Sequence, residues 1–225
     1  MAKKTNEEEI RQQNVAEAVS KTETFFRENG KIIYGCVIAV LVVAIAILAY
    51  NRFILQPQKV KAQDQMVRAE QWFEAGEYEL ALKGDGNDLG FEDIIDQFGT
   101  KGGQSVYMYA GVSKLYLGEF DEAISFLKKY NGDDPILLGR AQSCIGDAYV
   151  GKGDYNTAIT WFEKAAATTD NIYASGYLIK AGLAAEALGN QDKALAYYKQ
   201  VKEQYANAPE AAEIDKYITR IESAK

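Results

Sequence analysis

There is no histidine anywhere in these 225 residues. The side chain that most often serves as general base and as metal ligand is therefore missing, and no serine or cysteine can be activated by an imidazole. Cysteine is almost absent too. Cys36 lies in an apolar stretch and Cys144 far along the chain, so an internal disulfide is not expected, and neither has a neighbour for a zinc site or a redox pair. So few cysteines suit either side of a membrane and leave the redox compartment open. An excess of positive charge is also lacking. With 25 lysines and arginines against 32 aspartates and glutamates the net charge is -7, which would repel a nucleic acid or an anionic lipid surface.

Chemical motifs are missing as well. The segment Asp85-Gly86-Asn87-Asp88 has the outline of a calcium loop, but Leu89 stands where a third oxygen ligand belongs, and Gln97 and Phe98 where a bidentate glutamate should follow. No Gly-Lys-Ser/Thr follows these glycines to make a phosphate loop. Runs such as Glu7-Glu8-Glu9 and Asp121-Glu122 read as solvated surface. The expectation is a chain that is no enzyme, with no cofactor, no metal and no small-molecule substrate.

What the chain does have is an uncharged run of 19 residues, Ile32 to Tyr50. At about 1.5 Å per residue it matches the roughly 30 Å hydrocarbon core of a bilayer. Lys31 and Arg52 flank it, and Tyr34, Tyr50 and Phe53 sit where interfacial aromatics belong. A long polar segment precedes it and no small-x-small cleavage site follows, so an uncleaved anchor is expected rather than a signal peptide. Orientation stays open: Lys21, Arg27 and Lys31 on one side balance Arg52, Lys59 and Lys61 on the other. Gly35, Ala39, Ala46 and Ala49 fall on one helical face, either a packing face for another membrane helix or a product of composition. Before Ser20 the chain is polar, and Ile10, Val15 and Val19 make at most a weak amphipathic turn or two.

The remainder repeats itself. Starting from Gly146, offsets of 3, 12, 16 and 19 give Tyr149, Ala158, Phe162 and Ala165; from Gly182 they give Ala185, Ala194, Tyr198 and Val201. From Gly111 they give Lys114, Ala123, Leu127 and Tyr130, a weaker match, and Ala69, Trp72 and Ala81 keep part of the pattern in a degenerate first copy. The anchor glycines are 35 and 36 residues apart. Between paired helices A and B the same punctuation returns: Leu117-Gly118-Glu119-Phe120-Asp121, Gly151-Lys152-Gly153-Asp154-Tyr155 and Leu188-Gly189-Asn190-Gln191-Asp192. Asp134-Pro135 reads as a capped helix start. These small and aromatic positions resemble the tetratricopeptide repeat.

The expected fold is all-α: an N-terminal transmembrane helix, then a solenoid of about three tetratricopeptide repeats preceded by one degenerate repeat and closed by a capping helix. The expected boundaries are a polar head at 1–31, partly disordered, the membrane helix and its interfacial end at 32–54, the degenerate repeat with a Gly-rich insertion at 55–103, the repeats at 104–208, and the cap at 209–225. In such repeats the second, fifth and ninth positions of helix A face a ligand groove. Here they are Ser105, Met108 and Val112, then Arg140, Ser143 and Asp147, then Gly176, Ile179 and Leu183. The lysine and asparagine set with which some cochaperones clamp a C-terminal carboxylate is absent. The mixed lining suits an extended or partly unfolded chain or a partner's helix, or else these residues only pack the solenoid.

The run Phe25-Phe26-Arg27-Glu28-Asn29-Gly30-Lys31 before the span, followed by degenerate repeats, resembles the YfgM-type family of ancillary Sec translocon subunits. The insertion from Gly84 to Gly103 resembles versions from Bacteroidota. The resemblance implies a bacterial inner-membrane, single-pass protein with its N-terminus in the cytoplasm and its repeats in the periplasm. It implies protein partners: translocon subunits, periplasmic chaperones or unfolded clients. The alternative is a scaffold subunit of a cell-envelope or division complex without client binding.

Overall fold

The computed structural model describes residues 2–223, with side chains described from Glu17 onward apart from Ala18. Ile10 and Val15 therefore lie outside the described side chains. Among the described residues every regular element is helical. The chain divides into two units, residues 1–57 and 58–225.

The first unit is helix α1, Ala2–Tyr50, followed by a π-helical turn at Asn51–Leu55. The expected boundary at residue 31 falls inside α1. Among the described residues this is the one helix long and apolar enough to cross a membrane, and Ile38, Leu41 and Leu48 along it are exposed. The wider turn has a covalent cause: Pro57 has no N–H and its ring crowds the carbonyl four residues back. The helix answers by loosening, and the Gln56 N–H donates to the Asn51 carbonyl five residues back.

The second unit is built from helix pairs. Helices α2 (Gln56–Glu74) and α3 (Tyr78–Lys83) form the degenerate repeat, and α4 (Phe91–Phe98) lies in the Gly-rich insertion. Then come α5 (Ser105–Tyr116) with α6 (Phe120–Lys129), α7 (Pro135–Gly151) with α8 (Tyr155–Thr169), and α9 (Ala174–Ala187) with α10 (Gln191–Gln204). The last helix is α11 (Ile214–Glu222). From α5 to α11 each helix packs on the next, and α5 also packs on α7.

The anchor glycines explain how closely the pairs approach. A Cβ on Gly111 would stand 2.5 Å from Leu127 Cγ, one on Gly146 2.5 Å from Phe162 Cε1, and one on Gly182 2.4 Å from Tyr198 Cε1. Each glycine thus leaves room for the bulky side chain sixteen residues later. Beside these contacts Ala81, Ala123, Ala158 and Ala194, twelve residues after each anchor, are all fully buried.

The four A-to-B turns share one hydrogen-bond scheme. Gly118 N–H donates to Leu115 O and Glu119 N–H to Lys114 O, and the same two bonds recur at Gly76 and Glu77, Gly153 and Asp154, and Gly189 and Asn190. The four glycines all have φ between 74° and 79°, a left-handed setting that ends a helix with its last carbonyls satisfied. The next helix is capped locally: Asp154 accepts from Thr157 N–H, Asn190 from Lys193 N–H, and Asp134 from Ile136 and Leu137 N–H groups at the Asp134-Pro135 start.

A methyl group at an anchor glycine has nowhere to go, whereas one at Gly176 would make only ordinary contact, 3.9 Å from Glu210 Cγ. Gly182→Ala is expected to destabilise the repeats by about 1–3 kcal/mol, through overpacking that outweighs its better helix propensity. Gly176→Ala should be neutral or stabilise by up to about 1 kcal/mol. Thermal unfolding of the intact protein in detergent, followed by circular dichroism, separates the two.

Candidate functional site

The structure scatters the nine expected groove residues over several environments. Ser105 and Met108 are half-buried, and Val112 is buried against the Ala141–Ile145 side of α7. Ile179 packs against the C-terminal core cluster. Arg140 is exposed, while Ser143 and Asp147 are brought together by a residue the groove pattern does not include. That residue is Lys180, whose Nζ donates to Asp147 Oδ2 at 2.7 Å and to Ser143 Oγ at 3.3 Å. Its ammonium also lies 5.8 Å from the centre of the Phe162 ring.

Around this pair lies a hollow of about 330 Å³, lined by Val150 of α7, Tyr155 and Phe162 of α8, and Leu183, Ala184 and Ala187 of α9, with Asp147 and Lys180 in its wall. Leu183 keeps 43% of its surface exposed there. Val150 and Ala187 follow the ninth-position residues by three and four, so they share the same helical face one turn on. Reading that face one turn further along the sequence is the signal that would have found them. The arrangement presents apolar walls around one internally neutralised ion pair. It suits an apolar side chain entering from a partner, with polar groups of a chain meeting the Lys180–Asp147 pair.

Cys144, on the turn before Asp147, offers no chemistry. Burial, and then the Asp147 carboxylate, push its thiol up to about 11, so almost no thiolate exists at neutral pH. In the Gly-rich loop Asp85 accepts from the Asn87 and Asp88 N–H groups, and these bonds hold its carboxyl below the usual range. Asp88 pairs with Arg68 at 3.2 Å.

A second polar cluster occupies the place where the pattern is weakest. Lys114 sits at the aromatic position of the Gly111 repeat and is only 5% exposed. Its Nζ reaches Glu119 at 2.6 Å, Glu122 at 2.8 Å and Glu92 at 2.9 Å. Burial disfavours the charged amine, but the three glutamates outweigh it and raise its pKa above the ordinary lysine value. Asp121 and Glu122 are exposed, as their polar run suggests, and pair there with Lys152 and Lys114. On α1, a Cβ at Gly35 would meet nothing within 4 Å, so the face of Gly35, Ala39, Ala46 and Ala49 is uncovered in the single chain.

Residues 177–208 and 144–168 each match a tetratricopeptide-repeat family model. A crystal structure of kinesin light chain tetratricopeptide-like repeats from Podosopora anserina is similar in fold. It covers 74% of this chain and 87% of its own, at 13% identity and a TM-score of 0.54. No curated protein matches the chain. The second unit thus has the fold of a tetratricopeptide solenoid and contains two stretches that match the repeat's family models; such repeats are scaffolds for protein–protein interaction and are not typically catalytic.

The Lys114 cluster carries a pH signature. Because the folded-state pKa is raised, the stability it contributes is complete below the unfolded value of about 10.4 and is lost as pH rises through the higher folded value. Lys114→Met should lower stability at neutral pH by about 2 kcal/mol, since it leaves three facing carboxylates uncompensated. It should also reduce the alkaline loss, leaving the part that comes from tyrosines such as Tyr197 and Tyr198, whose pKa values burial raises as well. Urea unfolding of both proteins at neutral and strongly alkaline pH measures this, and equal alkaline losses would refute it.

Proposed function

We propose that this chain is a single-span membrane protein whose repeat array binds an extended or partly unfolded polypeptide in the hollow between α7 and α9. In this reading α1 crosses a bacterial inner membrane with its N-terminus in the cytoplasm. The array stands in the periplasm and assists secreted or envelope proteins near the Sec translocon. The partners are translocon subunits, periplasmic chaperones or the clients themselves.

The observation that carries this reading is the open apolar wall of Val150, Leu183 and Ala187 beside the Lys180–Asp147 pair. A monomeric surface gains nothing from leaving Leu183 in water, whereas an incoming apolar side chain would bury it. An extended chain alternates side chains with backbone polar groups, which matches an apolar wall beside a fixed ion pair. The placement near the translocon draws on the resemblance of the Phe25–Lys31 run and the repeat architecture to the YfgM-type family.

A photoreactive amino acid at Leu183 of the intact protein, irradiated in native membranes, tests the reading. Adducts with translocon subunits, periplasmic chaperones or secreted polypeptides are expected, and a second change, Val150→Asp, should reduce them severalfold. Adducts confined to division or cell-wall components would replace the client-binding role with that of an envelope scaffold.

A further inference from the structure

Most lysines from α5 to α11 are paired with a carboxylate. Of the ten between Lys114 and Lys216, seven have a carboxylate within 4.0 Å: Lys114, Lys152, Lys180, Lys193, Lys199, Lys202 and Lys216. The other three are Lys128, Lys129 and Lys164, and among the described residues none of them has such a partner. Two of them share one ring, and the third lies over others. Lys128 and Lys164 lie 5.7 and 4.8 Å from the centre of the same Trp161 ring, and Lys129 lies 5.4 Å from the Phe126 ring. In a chain of net charge -7, with carboxylates in excess, two ammonium groups without a carboxylate partner over one indole are conspicuous.

Between the two lysines over Trp161 opens a slot of about 90 Å³ formed by α6, α7 and α8, with Leu127, Tyr130, Leu138, Ile145 and Trp161 among its lining. It is separate from the α7–α9 hollow, with which it shares no lining residue. At that size, with Leu127, Leu138 and Ile145 in its lining, it takes the end of one small aliphatic side chain.

We infer that this slot docks an acidic peptide segment, with one aliphatic side chain in the slot and flanking carboxylates on Lys128 and Lys164. Charge complementarity chooses the occupant. An exposed ammonium is attracted to a carboxylate within about 8 Å, the screening length at physiological salt. The field there is mixed, since Asp134 and Asp133 act on Tyr130 of the lining; a short acidic segment can set its carboxylates on the two ammonium groups, whereas an extended anionic bilayer would also meet the acid surface around them. The cation–π contacts hold both ammonium groups beside the slot mouth without neutralising them.

The chain contains two tryptophans, Trp72 and Trp161, so a Trp72→Phe background makes emission report on Trp161 alone. The probe is a blocked Glu-Asp-Leu-Asp-Glu peptide, titrated into the intact protein in nonionic detergent. A saturable change in emission is expected, weakened about tenfold by the double variant Lys128→Glu/Lys164→Glu and severalfold by raising salt. A peptide with lysines in place of the acids should bind that double variant better than it binds the parent, which separates loss of charge from loss of fold. Glycine in place of the leucine should weaken binding, and equal binding would overturn the slot. Equal affinity of the acidic peptide for parent and double variant, or no saturable change, would overturn the inference. So would an emission shift caused by anionic rather than zwitterionic nanodiscs without peptide, which would assign the surface to lipid headgroups. Leu183→Asp should leave this titration unchanged, so the slot stands or falls independently of the α7–α9 hollow.

Discussion

The arrangement of the repeats depends on the absence of one methyl group at one place per repeat. Leu127, Phe162 and Tyr198 each occupy the space that a Cβ on Gly111, Gly146 or Gly182 would need. The bulky side chain of helix B therefore lies against the backbone of helix A, and the two axes come together. The left-handed glycine turn then reverses the chain over this short distance, and the next helix A starts from a fixed position. Only with that spacing repeated does Lys180 of α9 reach across to Asp147 and Ser143 of α7. The hollow beside them is the space left where small residues, Ala184 and Ala187, face that contact.

The first repeat shows what happens when the rule fails. Sixteen residues after Ala69 stands Asp85, in a loop, because α3 is only six residues long. The gap is filled from outside the pattern. Phe91 and Ile94 of α4, both fully buried, join Ala69, Ala81 and Leu82, and Phe91 stacks on Tyr109 of α5 at 5.4 Å. The loop that delivers them is tight: a Cβ on Gly90 would stand 2.2 Å from the Leu82 carbonyl oxygen, and one on Gly84 2.2 Å from that of Asp88. The Gly-rich insertion is thus a folded part of the core, with glycine required where two strands of backbone touch.

Much of this was legible in the sequence, and for a physical reason. The repeat pattern encodes backbone approach, and glycine, alanine and aromatic residues are the side chains that govern approach, so α5 to α10 and their turns could be read directly. The α4 helix was not, because its punctuation of glycines and acids is that of a loop and its two core residues have no repeat to be compared with. The groove was legible only in part. Position along helix A identifies which residues share a face, but not which are covered, and Val112 and Ser143 are buried by neighbours that the pattern leaves free to vary. Lys180 was visible in a different way, as one of only two charges in α9, the other being Glu186.

The few charges of these helices have a common consequence. Lys114 is the only charge in α5, and it ends on three glutamates; Lys180 ends on Asp147; Glu186 accepts from Tyr198 Oη at 2.5 Å and pairs with Arg220 of α11 at 2.6 Å. Apolar contacts between repeats are nearly interchangeable, since alanines and aromatics recur at the same offsets. Charges are not. If α9 docked on the α5–α6 pair instead of α7–α8, Lys180 would face Met108 and Val112 in place of Ser143 and Asp147, and would lose both of its polar partners. In a solenoid, where each repeat touches only its neighbours, order along the stack has to be specified at each interface. Here the few charges of the A helices, Lys114 with Glu92, Lys180 with Asp147 and Glu186 with Arg220, each find a partner on a neighbouring element and add to that specification, while the glycine–aromatic contacts supply the adhesion.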